Sequence, residues 1–231
     1  MKTFALLALS AMALGAPTNR RDIADAMGTL LNGVGSAAKD LFASGSKAKD
    51  ASGAPVNTDT APYSVLFAPA APKDATDAFS NFANHVYGVS ASLLGLSTAI
   101  GPEQIKALAR IGYAHEVLEA IEAGKMESEA STANSPALQA LIKNTPCVNN
   151  GFKLAELDPT PQNALYVAQQ ICIVRDALIL PNILEMGKLS GAKNLIVFTP
   201  VGPMLGQGAV AVQQPGSELV LAAQKALGCS E

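Results

Sequence analysis

Residues 74–100 read DATDAFSNFANHVYGVSASLLGLSTAI, and the large apolar side chains among them recur every three or four positions. This spacing places them on one side of an α-helix, as a stripe that must be buried against another part of the protein. The stripe consists of Phe79, Phe82, Val86, Val89, Leu93, Leu96 and Ile100. Gly101-Pro102 then ends the helix, and a second amphipathic pattern follows at once. Two long helices joined by so short a break are expected to fold back on each other.

The second helix is predicted to begin at Pro102 and to stop near Gly124, with its acidic residues Glu116, Glu119 and Glu122 on a solvated face. A short helix is predicted over 136–143, because Asn144-Thr145-Pro146 and the turn signal Asn149-Asn150-Gly151 follow it. Asp74 or Thr76 is expected to cap the first helix.

Residues 165–180 are apolar on almost all sides, interrupted by Gln169, Gln170, Arg175 and Asp176, which is typical of a central helix. Thr160 is expected to cap this helix, and Ser217 a last helix that closes at Gly228. Between them, residues 195–212 are apolar but broken by prolines and glycines, which predicts short strands or a buried irregular loop. The fold predicted for residues 63–231 is therefore all-α, a bundle of four to five helices.

The first residues are typical of a protein that enters the secretory pathway. Residues 1–15 carry one lysine, an apolar run and small residues at the expected cleavage site, which predicts a signal peptide. Residues 16–21 end in Arg20-Arg21, which reads either as a propeptide site for a kexin-like protease or as two exposed arginines. The sequence thus predicts a secreted, extracellular protein of eukaryotic origin, with a fungus as the candidate source.

Two further segments precede the core domain. Residues 22–44 have a helical pattern of apolar side chains and predict an amphipathic helix, which either docks on the core or meets a membrane or another protein. Residues 45–62 are rich in Gly, Ser, Ala and Pro and predict a flexible linker.

Composition limits the partners. The 231 residues include 16 Lys and Arg against 19 Asp and Glu, so nucleic acid is a poor candidate. No segment after the signal peptide reads as a transmembrane helix, and no cofactor motif is present. The remaining candidates are an apolar small molecule, an extracellular surface and a protein.

Three cysteines, Cys147, Cys172 and Cys229, allow one disulfide bond in an oxidising compartment. A Cys147–Cys172 bond is favoured because its loop is short, although participation of Cys229 stays open.

Catalytic motifs are weak. His115-Glu116-Val117-Leu118-Glu119 resembles the zinc motif H-E-x-x-H with its second histidine replaced. His115 and Glu119 lie one turn apart, and His85 on the preceding helix would supply a third metal ligand. The alternative function is therefore a secreted metal-dependent hydrolase.

The sequence favours a secreted, non-catalytic binding or interaction protein, holding an apolar ligand between helices or acting at a cell wall or host surface. The residues expected to line the ligand site are Phe79, Phe82, Leu108, Ile111, Ile171 and Val174.

Overall fold

The computed structural model describes residues 72–127, 134–205 and 211–229. These residues are 75% helical, with five helices and no strand, which confirms the predicted all-α bundle. The helices are α1 (Ala75–Leu96), α2 (Pro102–Glu127), α3 (Pro136–Leu157), α4 (Pro161–Leu189) and α5 (Glu218–Ala226). A 3-10 turn, Gly202–Met204, lies between α4 and α5.

Side-chain caps begin four of the helices. Asp74 accepts a hydrogen bond from Asp77 N at 2.9 Å, and Ser135 accepts one from Leu138 N at 3.1 Å. Thr160 and Ser217 do the same at the starts of α4 and α5. Each cap satisfies a backbone N–H that has no partner inside the helix. The predicted caps at Asp74, Thr160 and Ser217 are confirmed.

Helices α1, α2 and α3 run up, down and up. On α1, Gly95 faces Leu108 of α2, whereas Gly88, farther from the connection, faces His115. Earlier residues of α1 therefore face later residues of α2, so the two helices form an antiparallel hairpin, as predicted. Arg110 of α2 forms an ion pair of 2.6 Å with Glu156 of α3, and Gly112 faces Phe152, so α2 and α3 are antiparallel as well.

Helix α3 is longer than predicted. It continues from Pro136 to Leu157 through Pro146 and through the expected turn at residues 149–151. Proline removes one helical hydrogen bond. Here Leu141, Cys147 and Val148, on both sides of the proline, are buried. Packing of this face therefore outweighs the local turn propensity, and the prediction of a short helix was wrong.

Helix α4 is the central helix that the sequence predicts. It is α-helical over Pro161–Val174 and Leu180–Leu189, with a π-helical turn, Arg175–Ile179, between them. Among the described helices, this one is long and apolar enough to cross a membrane, but 67% of its most apolar window is buried inside the bundle. That burial is what a core helix shows, and it weighs against a membrane-spanning role.

The chain after α4 lacks regular structure until the 3-10 turn, and we call residues 192–205 the covering segment. Its side chains Phe198, Val201 and Leu205 are buried. Phe198 packs on Phe79 and Tyr87 of α1, with ring centroids 6.2 and 6.3 Å apart. Of the two forms predicted here, the irregular buried one is observed over these residues.

The predicted signal peptide (1–15), propeptide (16–21, with Arg20 and Arg21), amphipathic helix (22–44) and linker (45–62) lie outside the described residues. They stay predictions.

Candidate functional site

Ionisable side chains meet in the interior of the bundle, where apolar packing is the rule. We call this group the ion cluster. All of its members are at most 6% exposed. It comprises His85 of α1, His115, Glu116, Glu119 and Glu122 of α2, and Arg175 and Asp176 of α4. Charged groups are almost never fully buried unless they are paired, so the cluster is the most unusual chemistry in the described residues.

Arg175 is the centre of the ion cluster and is fully buried. Its guanidinium donates from Nη2 to the Val86 carbonyl at 2.8 Å and from Nη1 to Ser90 Oγ at 3.2 Å. Glu119 Oε1 lies 4.0 Å from Nη2, an ion pair without a hydrogen bond. Arg175 starts the π-helical turn, and such turns are often found at functional sites.

The two glutamates nearest Arg175 hold protons more tightly than usual. Burial raises the pKa of Glu116 from 4.5 to about 7, although Arg175 and the Thr145 side chain act against it. Burial raises the pKa of Glu119 well above 4.5, and the charge of Glu116 raises it further. Near neutral pH the two carboxyl groups therefore share protons beside one guanidinium.

The two histidines touch across the α1–α2 hairpin. Their Nδ1 atoms lie 3.1 Å apart, and the His115 ring occupies the space that the missing side chain of Gly88 leaves free. Burial, followed by the charge of His85, lowers the pKa of His115 to about 3. His115 is therefore neutral in the folded protein at ordinary pH.

Asp176 links the ion cluster to the covering segment. Its Oδ2 accepts a hydrogen bond from Gly202 N at 2.7 Å, at the start of the 3-10 turn. Burial raises the pKa of Asp176, while Arg175 and the backbone N–H groups of Gly202 and Val201 act in the opposite sense. The covering segment is thus anchored by a buried side chain at one end, and Lys193 N donates to Thr76 at the other, at 3.2 Å.

The structure corrects two predictions on α2. Glu116, Glu119 and Glu122 are buried, so the predicted solvated face was wrong. His85 and His115 do come together, but in the described residues no three His, Cys, Asp or Glu side chains are placed to hold a metal ion. Glu119 faces Arg175 instead, and the predicted metal site of His85, His115 and Glu119 is not formed.

The six predicted ligand-lining residues all lie in the core. Phe79, Phe82, Leu108, Ile111, Ile171 and Val174 are each at most 6% exposed. Neighbouring side chains fill the spaces at helical glycines: Leu108 at Gly95, and Ile171 at Gly151. The interior around these residues is closed. Their role in binding stays a prediction.

The disulfide bond joins Cys147 to Cys229, with Cα atoms 5.1 Å apart, and Cys172 is free and buried. The predicted Cys147–Cys172 bond was therefore wrong. The reason is that Cys147 lies within the continuous α3 and faces the end of α5, whereas Cys172 lies in the core of α4. Burial and the charge of Asp176 raise the pKa of the Cys172 thiol well above its usual value, which disfavours the reactive thiolate.

A surface groove of about 310 Å³ lies between α3 and α5, away from the ion cluster. It is lined by Asn150, Lys153, Leu154, Lys225, Ala226, Leu227 and Gly228. None of the six predicted ligand-lining residues belongs to it.

Sequence reasoning missed the ion cluster, although one signal pointed to it. Arg175 interrupts a helix that is otherwise apolar on most sides, and a cation in a central helix needs a buried counter-charge. The glutamates of α2 were the available partners.

The chain matches no family model, no curated protein and no solved structure. Function is therefore argued from the site alone.

Proposed function

We propose that this chain is a secreted, non-catalytic binding protein that takes up an apolar ligand beneath the covering segment. The observation that carries the proposal is the contact of Phe198 with Phe79, one of the residues expected to line the ligand site. An aromatic side chain of an irregular segment here fills the apolar space that a ligand would occupy.

The covering segment is the part of the bundle wall that can move at least cost. Irregular segments of this length in a small domain are often binding loops or lids. This one is anchored through Asp176 and Thr76, and its middle exposes Leu195 and Val197. Displacing Phe198 would uncover the rings of Phe79 and Tyr87 without unwinding a helix.

A non-catalytic role is favoured by where the reactive groups lie. His115 and the glutamates of the ion cluster are enclosed, and the thiol of Cys172 is fully buried. A substrate would have to enter the core to meet them. Binding of a ligand beneath the covering segment requires only that this segment is displaced.

The test measures ligand binding by a variant with a smaller side chain at position 198 of the covering segment. Phe198→Ala should bind the apolar dye 1-anilinonaphthalene-8-sulfonate about tenfold more tightly than the wild-type protein. In the wild-type protein the dye must displace the Phe198 side chain, whose burial contributes about 1.5–3 kcal/mol. Val197→Ala is the matched control, since Val197 is 78% exposed in the same segment, and it should leave dye affinity unchanged.

Dye binding should be measured below the onset of thermal unfolding, with near-ultraviolet circular dichroism showing that the variant is folded. Failure of both wild-type protein and Phe198→Ala to bind the dye would contradict the proposal. Native mass spectrometry of the secreted protein gives an independent readout, because a bound ligand adds mass that denaturation removes. An apo mass in both proteins would direct attention to extracellular surfaces or protein partners instead.

A further inference from the structure

We propose that Glu116, Glu119 and Arg175 form a pH-responsive element, which keeps the bundle closed in acid and loosens it as the pH rises through neutrality. This role is separate from ligand binding and does not depend on it. The argument rests on the position of three charges in a closed interior.

Two carboxyl groups and one cation, the Arg175 guanidinium, lie close together in the interior. Glu116 and Glu119 are three residues apart on α2, so they lie on the same side of that helix. Both are at most 3% exposed, and Arg175 is fully buried. A guanidinium stays protonated in proteins, so the positive charge is constant while the negative charge depends on pH.

The hydrogen bonds of Arg175 do not fasten it to the carboxyl groups. Its described hydrogen bonds go to Val86 O and Ser90 Oγ of α1, and Glu119 Oε1 remains 4.0 Å away. With one carboxyl group ionised, the guanidinium is balanced. With both ionised, an excess negative charge lies on side chains that are almost fully buried, which is costly.

Other buried polar and titratable side chains lie on the helices packed around these three charges. They are His85 of α1, His115 and Glu122 of α2, Thr145 of α3, and Cys172 and Asp176 of α4. The thiol keeps its proton, because burial raises its pKa well above the usual value. Asp176 has a raised pKa and acts in the same sense as the glutamates.

The sign of the pH effect follows from where protons are held. The pKa of Glu116 rises from 4.5 to about 7 on folding and that of Glu119 rises well above 4.5, so the folded chain binds more protons than the unfolded chain above pH 4.5. Stability from these groups is complete below pH 4.5 and is lost as the pH rises through 7 and beyond.

His115 acts in the opposite direction. Its pKa falls from 6.5 to about 3 on folding, so it costs stability as the pH falls below 6.5. In the unfolded chain a histidine with a pKa of 6.5 is half protonated at that pH and mostly neutral above pH 7, so the opposition fades there and the carboxyl groups dominate from pH 7 to 8.

The experiment follows chemical unfolding of the disulfide-bonded full chain from pH 7 to 8. The wild-type unfolding equilibrium constant should rise about tenfold per pH unit, the change expected for one proton released on unfolding. In Glu116→Gln/Glu119→Gln the constant should change much less with pH, since both side chains are then permanently neutral and only the smaller effect of groups such as Asp176 remains. Glu185→Gln is the matched control, because Glu185 is an exposed helical glutamate paired with Lys188 at 3.0 Å, and it should keep the wild-type slope.

A second measurement needs no variant and applies if the double substitution fails to fold. Unfolding the wild-type protein at pH 7 in weakly buffered solution should release about one proton per chain, recorded by a pH-stat. Proton uptake or no exchange would overturn the proposal, as would a wild-type stability that is flat or rising over this window. A flat wild-type slope together with tight dye binding would reject the pH element while leaving the proposed function standing.

Discussion

Gly112 on α2 shows how closely the helices of this bundle approach. The ring of Phe152 on α3 occupies the space that a side chain at Gly112 would need, and Phe152 is itself 1% exposed. Gly112→Ala should therefore destabilise the protein by about 1–3 kcal/mol, because the phenyl ring must leave its position. The change has the opposite sign to helix propensity, which alone favours alanine by about 1 kcal/mol. Denaturant unfolding measures it.

The control for this substitution is Gly101→Ala. A side chain at Gly101 meets no atom within 4 Å, and Gly101 lies in the connection before α2. Its stability should equal or slightly exceed that of the wild-type protein. Equal effects at the two glycines would mean that the α2–α3 contact is looser than described.

Individual residues also show where prediction from sequence ended. Spacing predicted the burial of Phe79, Phe82, Val86, Val89, Leu93 and Leu96 correctly, because helical periodicity is local. It was wrong for Ile100, which follows the end of α1 at Leu96 and is 86% exposed. It could not place Glu116 beside Arg175, since 59 positions of chain separate them and only tertiary packing brings them together. The glutamates therefore matched a solvated helical face as well as they match the buried cluster.

Helix α5 is held to α3 by a covalent bond and by buried polar contacts. Cys229 follows the helix and bonds to Cys147, and Gln224 donates to Asn144 Oδ1 at 2.8 Å. Cys229→Ser should lower the free energy of unfolding by about 2–5 kcal/mol, because the bond closes a long loop between cysteines with a sequence separation of 82. Thermal unfolding without reductant measures the change.

Peptide mapping without reduction gives the companion result. The fragment containing Cys147 should be joined to the fragment containing Cys229, and Cys172 should be alkylated after denaturation but not before. A cross-linked fragment containing Cys172 would contradict the structure.

At the level of elements, the sequence predicted which helices exist better than it predicted where they begin and end. The caps of α1, α4 and α5 were recognisable because capping depends on neighbouring residues. The length of α3 was not, since Pro146 and the Asn-Asn-Gly triplet favour a break that burial on both sides overrides. The π-helical turn in α4 has no signal in the local pattern beyond Arg175 and Asp176 themselves.

The whole molecule should keep its stability when the N-terminal segments are removed. The buried apolar residues of the described chain lie between Ala78 and Leu227 and form a core of their own. A chain beginning at Tyr63 should therefore unfold cooperatively with the same midpoint as the full protein, measured by circular dichroism. A lower midpoint or loss of cooperativity would show that residues 22–62 belong to the folded unit and would contradict the predicted linker.

On the scale of the whole chain, the sequence specified an all-α bundle because amphipathic helices must share one core. The sequence did not show whether charged side chains are buried in that core, since the same helical pattern is compatible with a purely apolar interior and with one that contains charges. Function is harder still to predict, because it depends on how the covering segment and the ion cluster sit together in space.

Because Arg175 is fully buried, protease cleavage after this residue can be used to measure how often the bundle opens. Trypsin cleaves after arginine and lysine, and Lys193 in the covering segment is exposed while Arg175 is not. Trypsin should therefore cleave after Lys193 before it cleaves after Arg175, because the bond after Arg175 is reached only when α4 separates from its neighbours. The ratio of the two cleavage rates therefore reports how often the bundle opens, without a label or an introduced residue.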